Sequence, residues 1–270
     1  MRRKRKRSKS NKRLLFSSLT VLLVFLVALL SFGLVKLFGN NQFKVDSRVE
    51  KLEKAQKKDT SDKKTVGWIK VQGTNIDYPV VYAPDYDFSY EVDDFAWTEA
   101  NYKKLNNIIY VSGHNIKNLS TTPIINGEGH NRFEQLMGFT YYDFVKNNQY
   151  IQYTIGDKNY LYKIFAVSYQ EVSDMNLYND GKYDKEDMKI LIDRTLDNTI
   201  FDFGVDVNEN DSIISLDTCT RMYDSDDVHF TVSARLLREG EKAKLSEVSK
   251  TSKYNEIEKI MKGGDSYDEA

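Results

Sequence analysis

The sequence predicts a mostly β domain, closed or sandwiched, with helices on its rim and a membrane-crossing helix in front of it. Three observations predict this. Seven short runs rich in Tyr, Phe, Val and Ile recur between residues 65 and 238, separated by Asn, Gly and Asp, and such runs bounded by turn residues read as strands. Only one stretch in that span has a convincing helical period, which argues against a doubly wound α/β fold. Residues 14–35, LLFSSLTVLLVFLVALLSFGLV, run for 22 residues without a charge.

The apolar run follows a basic tip. Residues 1–13, MRRKRKRSKSNKR, hold nine of the 39 Lys and Arg and none of the 40 Asp and Glu, so the remaining chain carries a formal charge of −10. At 1.5 Å of rise per residue the run reaches about 33 Å, against roughly 30 Å for a bilayer core. A cleavable signal peptide has a shorter apolar stretch and a small-residue cleavage site. None follows here, and Lys36, Leu37 and Phe38 suit an interfacial end. Residues 14–38 are therefore expected to form a single-pass signal anchor, with residues 1–13 in the cytoplasm and the rest outside. The chain has one cysteine, so the exported domain is stabilised by packing without an internal disulfide.

Residues 39–64, polar and nearly without aromatics, read as a stalk or N-terminal helix. Composition changes sharply at Val66. The strand candidates are 66–71, 76–82, 107–112, 150–155, 160–169, 211–218 and 228–237. The convincing helix is 185–198, where Met188, Leu191, Ile192 and Thr195 fall at helical spacing behind Asp184 as N-cap. A weaker helix is expected over 132–147. Residues 239–270 read as a polar, charged tail with one weak helix around YNEIEKIMK, and no internal repeat is visible.

Few residues offer chemistry. Cys219 ends a strand candidate, and His114 lies just past another, in NIIYVSGHN, where a rigid scaffold displays reactive groups. His130 sits in a polar loop and His229 near the start of the last strand. A thiolate needs a base or cation beside it, usually histidine. Yet free cysteine is among the most buried residue types, and taken alone Cys219 reads first as packing. One cysteine and three scattered histidines show no zinc-ligand spacing. Asp224, Asp226 and Asp227 lack a full calcium-loop pattern and read as a solvated turn, so neither metal nor cofactor is expected. The basic residues cluster in the tip and the domain is acidic, which argues against nucleic-acid binding.

Three ordered segments, VGWIKVQGTNIDYPVVY, NNIIYVSGHNIK and DSIISLDTCT with FTVSARLL, resemble the sortase family and are most similar to class B. Sortases are membrane-anchored transpeptidases of Gram-positive bacteria whose nucleophile motif is T-L-x-T-C; here it reads Ser215-Leu216-Asp217-Thr218-Cys219. The resemblance spans about residues 65–238 and implies an eight-stranded β-barrel with peripheral helices, a long one of which precedes the cysteine strand. It implies that Cys219 attacks a Thr–Gly or Thr–Asn type bond of a C-terminal sorting signal to form a thioester. His114 would protonate the leaving amine and deprotonate the incoming one. Ser215, Leu216 and Thr218 would face substrate. The partners would be secreted proteins bearing sorting signals, with a peptidoglycan precursor or pilin amine as acceptor.

One departure stands out. The family carries an arginine at the start of the last strand to orient substrate and stabilise the oxyanion, and His229 occupies that place. Losing an oxyanion donor typically costs about 2.7–4 kcal/mol. Either Arg221 swings in, or His229 serves, or activity is weak. Arg235 shares a strand face with His229 but stands roughly 20 Å away. Arg221 has an ordinary alternative as a loop cation paired with Asp224 or Asp226. Two other readings stay open: a sortase-shaped binding module without catalysis, and a papain-like wall peptidase. In the latter the cysteine precedes the histidine and starts a helix.

Overall fold

Alternating side chains decide how the strands close. In β1 (Lys64–Val71) every second residue from Thr65 is buried, the period-2 pattern of a strand with one face on a core. β2 (Asp77–Tyr82), β3 (Ala96–Thr98), β4 (Ile108–Ser112), β5 (Tyr150–Ile155), β6 (Lys158–Glu171), β7 (Phe201–Asp202), β8 (Ile213–Cys219), β9 (Val228–Leu236) and β10 (Ser249–Lys250) follow. Eight of them form a closed barrel in the order β1-β2-β3-β4-β8-β9-β6-β5, while β7 and β10 pair separately. The neighbours β2–β3 and β4–β8 are parallel, and the rest of the barrel is antiparallel. The join between β3 and β4 is a single residue pair, Trp97 with Ser112. This computed structural model describes residues 43, 45–60, 64–83, 96–98, 104–116, 118–124, 133–171, 183–223, 225 and 227–263.

Inside the barrel sit Ile69, Ile109, Val111, Ile151, Tyr153, Ile164, Leu216, Phe230 and Val232, with Phe133, Leu136 and Phe139 closing one end. Outside it, α3 (Lys185–Asn198) covers β4, β6 and β8 through Met188 and Ile192 packed on Ile108, Tyr110, Phe165 and Ile213. Asp184 caps this helix as expected, accepting from the backbone N–H of Glu186 and Asp187 while Asp187 returns a bond to its N–H.

One expectation needs correction. The helix expected over 132–147 is two short pieces, a 3₁₀ turn at Glu134–Thr140 and α2 (Tyr142–Val145). Gly138 lies inside the stretch, and Phe139 and Phe144 pack edge-on around the break. Of the two readings of residues 39–64, stalk or N-terminal helix, the described part contains a helix: α1 (Val49–Gln56) buries Leu52. Arg48 bonds Asp77 at 2.9 Å, and Gln152 on β5 holds the backbone of Asp46. The charged tail holds the helix expected around YNEIEKIMK. β10 pairs with β7, and α4 (Ser252–Gly263) buries Tyr254 and Ile257, with Tyr254 5.0 Å from the Phe201 ring. Both segments are amphipathic, so their charges mark a solvated face around a narrow apolar seam. Among the described residues no helix is long and apolar enough to cross a membrane. The expected anchor at 14–38 and the basic tip lie outside them.

Candidate active site

The parallel pair β4–β8 brings two distant segments to one place. Its register runs without a shift from Ile108 opposite Ile213 to Ser112 opposite Asp217. Two further bonds extend it: Gly113 N–H donates to Asp217 O at 3.1 Å, and Thr218 Oγ1 donates to Gly113 O at 2.7 Å. Carried one residue more, the same register sets His114 level with Cys219, and period-2 alternation puts both on one face. A Cβ on Gly113 would lie 2.3 Å from the Phe133 ring, so only glycine lets the chain pass there. Cys219 is exposed, while His114 is 9 % exposed.

The loop after β4 is fixed by polar side chains. Asn115, 3 % exposed, donates from Nδ2 to Asn118 O at 2.8 Å and to Cys219 O at 2.9 Å. Asn118 donates to the carbonyls of Glu134 and Ile124 and accepts from the N–H of Ile124. Phe133 N–H caps His114 O at 3.1 Å. His114 and Cys219 are thereby tied to one network through their backbones.

On the other side of β8, antiparallel β9 sets His229 opposite Cys219. Asp217 points to the same face, two residues before the thiol, and its carboxylate oxygens lie 2.9 and 3.0 Å from His229 Nδ1. Only 18 % of the His229 side chain and 5 % of Asp217's remain exposed. Burial alone would push the imidazole down. Hydrogen bonds to Asp217 and Cys219, with the charges behind them, overcome that and hold His229 up at about 10. His229 is thus an imidazolium at neutral pH.

The other expected site residues fall elsewhere. Ser215, Leu216 and Thr218, offered as substrate contacts, are all buried. Ser215 Oγ meets Ser233 Oγ at 3.1 Å, Leu216 fills the barrel, and Thr218 fastens the His114 loop. Of the three, Ser215 also lines a small cavity with Tyr110, Gln170 and Thr231. Arg221 is exposed, two residues past Cys219. Arg235 is 4 % exposed and locked to Glu241 at 2.6 and 2.9 Å, at the far end of β8, where it faces Ile213. His130, Asp224 and Asp226 lie outside the described residues, and among those described no His, Cys, Asp and Glu cluster could hold a metal.

Two residues at the site went unmarked in the sequence, Asp217 and Asn115. Asp217 fills the variable position of S-L-x-T-C, and strand alternation already set it on the cysteine's face; its partner depended on the β8–β9 register. Asn115 directly follows His114 but reads as an ordinary loop polar residue.

No protein-family model matches the chain. Sortase B of Staphylococcus aureus is 25% identical over 205 residues, covering 75% of this chain and 80% of that protein. Sortase B of Listeria monocytogenes is 26% identical over 189 residues, covering 65% and 71%. Among solved structures, Clostridium perfringens sortase B superposes with a TM-score of 0.56 at 28% identity, over 69% of this chain and 100% of that one. With this barrel, the chain has the sortase fold, and its sequence is similar to class B sortases.

Proposed function

We propose that the chain is a cysteine transpeptidase that cleaves a C-terminal sorting signal of secreted proteins and transfers them to an amine of the cell wall. The observation that carries this reading is Cys219, exposed at the end of β8, with the parallel neighbour β4 leading directly into His114. In the first half-reaction the Cys219 sulfur attacks the peptide carbonyl, the C–N bond breaks, and His114 passes the thiol's proton to the leaving amine. The product is a thioester. In the second, an incoming amine attacks the thioester carbonyl, His114 takes its proton, and the sulfur leaves.

Sequence similarity to sortase B of two species supports a sorting-signal substrate. The alternative readings fare worse. A papain-like site needs its cysteine at a helix start, and Cys219 ends a strand. A binding-only module drew its support from the missing arginine, and a charged His229 stands at that place. The apolar run at 14–35 behind a basic tip would anchor the domain on the outer face of the membrane, where both substrates lie.

The test uses the full chain in detergent with sorting-signal peptides and an amine acceptor. Cleavage with amine transfer is expected, and it should disappear in Cys219→Ala and His114→Ala. Failure to turn over any peptide, together with a Cys219 inert to a peptide vinyl sulfone, would sink the proposal.

A further inference from the structure

The face of β8 and β9 that carries Cys219 holds one more group that no part of the two-residue mechanism uses. Asp217 and His229 are nearly buried and bonded to each other, and their carboxylate–imidazole pair ends at an exposed thiol. With Nδ1 taken by Asp217, Nε2 is the ring nitrogen left for Cys219, which stands directly opposite on β8. A buried carboxylate with no role would be a costly thing to leave on this strand.

We infer that His229 is a catalytic residue acting as a fixed cationic donor beside Cys219, with Asp217 as its positioning residue, so that this pair does the work of the arginine that sortases carry there. This rests on the reading of Cys219 as an acyl-accepting nucleophile. The donor faces the sulfur in the resting enzyme and the oxyanion in the tetrahedral intermediate. It moves no proton in the cycle, which leaves acid–base duty to His114. The ring's elevated proton affinity fits that division, because a group still charged at neutral pH cannot serve as a resting base. Asp217 accounts for both features by fixing the ring's orientation and compensating its charge, as carboxylates do for catalytic imidazoles elsewhere.

Among the described residues, the acid that meets His229 is Asp217, whose carboxylate compensates the ring's charge and keeps it protonated. On β8 it faces Asp217 and Cys219, and on β6 its register partner is the neutral Gln170, with Glu171 next to it opposite Val228. Asp227 lies two residues before it in sequence, His114 lies two residues past β4, and Arg221 follows the thiol at two residues' distance. A histidine in place of arginine gains a dependence on its carboxylate partner, since without Asp217 the buried imidazole would lose its proton. Arginine needs no such partner to stay charged.

The experiment has two arms on the detergent-solubilised full chain. Ring NMR of nitrogen-labelled histidine follows the three imidazoles with pH, the His229 signal being identified as the one absent in His229→Gln. His229 is expected to stay protonated beyond pH 8 in the unaltered protein and to titrate far lower in Asp217→Asn. Titration of His229 near its ordinary value of about 6.5 in the unaltered protein would overturn the inference, whether or not Asp217→Asn folds. The second arm measures alkylation of Cys219 by iodoacetamide at pH 7, alongside kcat/KM. His229→Gln should lose about tenfold or more in alkylation and about 10²–10³ in kcat/KM, with His229→Arg restoring most of both. Equal alkylation in unaltered protein and His229→Gln would overturn it. Alkylation needs no sorting peptide, so an intact alkylation pattern without peptide turnover would fault the transpeptidase reading and leave the His229–Asp217 assignment standing.

Discussion

The two ends of the β8–β9 pair each carry a shielded ion pair, and they are built to opposite purposes. Where β8 begins, Arg235 opposes Ile213 and spends its guanidinium on the Glu241 carboxylate, Asp206 O and Leu236 O. Beside it Arg238 grips Asp211 at 2.7 and 2.8 Å and Asp206 at 2.6 Å. That end is saturated by the protein itself. Where β8 stops, His229 meets one carboxylate and, opposite it, an exposed thiol. The same strand pair thus shows what separates a structural clamp from a candidate reaction centre: whether the ion pair ends on more protein or on a reactive group open to solvent.

The largest effect that sharpens this contrast is on turnover. Cys219→Ala should abolish peptide cleavage and His114→Ala should lower it by about 10²–10⁴, both with melting temperatures near that of the unaltered chain. At the saturated end the order reverses. Arg235→Ala strands the Glu241 carboxylate in a shielded place and should cost about 3 kcal/mol in denaturant unfolding, while the folded fraction keeps its activity.

Titration should separate the two ends by direction. His229 is raised to about 10, so the stability that its pair with Asp217 contributes is complete below about pH 6.5 and fades as pH rises toward 10. The loss should be on the order of a few kcal/mol. Asp211 behaves oppositely: burial would raise it, but its bonds from Arg238 and the Asn208 N–H hold it lower. Glu241 is likewise lowered by Arg235. Their contribution is present above about pH 4.5 and is lost as pH falls through their depressed values. Unfolding measured from pH 3 to 10 should show both limbs, and Asp217→Asn should remove only the alkaline one.

Smaller effects test the frame around the site. Gly113→Ala would press a methyl group into the Phe133 ring, with an expected cost of about 1–3 kcal/mol and a displaced His114. Arg221→Ala, exposed and off the Cys219–His229 pairing, should change kcat/KM by less than about threefold. A loss of a hundredfold would return the arginine role to Arg221.

Much of this was legible before any coordinates. The strands at 150–155 and the helix at 185–198 stand where Tyr-Ile-Gln-Tyr-Thr-Ile and the Asp184 cap put them, because strong periodicity and a side-chain cap are local signals. β3, β7 and β10 are two or three residues long, too short to carry a period, and exist through their partners. Cys219 and His114 were visible as strand-end residues. Asp217 was visible as a same-face neighbour but not as the partner of His229, since register between strands is a tertiary quantity. The substrate contacts expected of Ser215, Leu216 and Thr218 came from a motif alone, and all three are buried in the strand.

The central claim is that Cys219 carries an acyl group during turnover. Mass spectrometry of the full chain, quenched in acid during reaction with a sorting-signal peptide and no amine acceptor, tests it most directly. A hydroxylamine-sensitive adduct of the peptide's N-terminal fragment, mapped to Cys219 and absent in Cys219→Ala, is the predicted result. Peptide cleavage that proceeds with no adduct on Cys219, or that survives in Cys219→Ala, would contradict it.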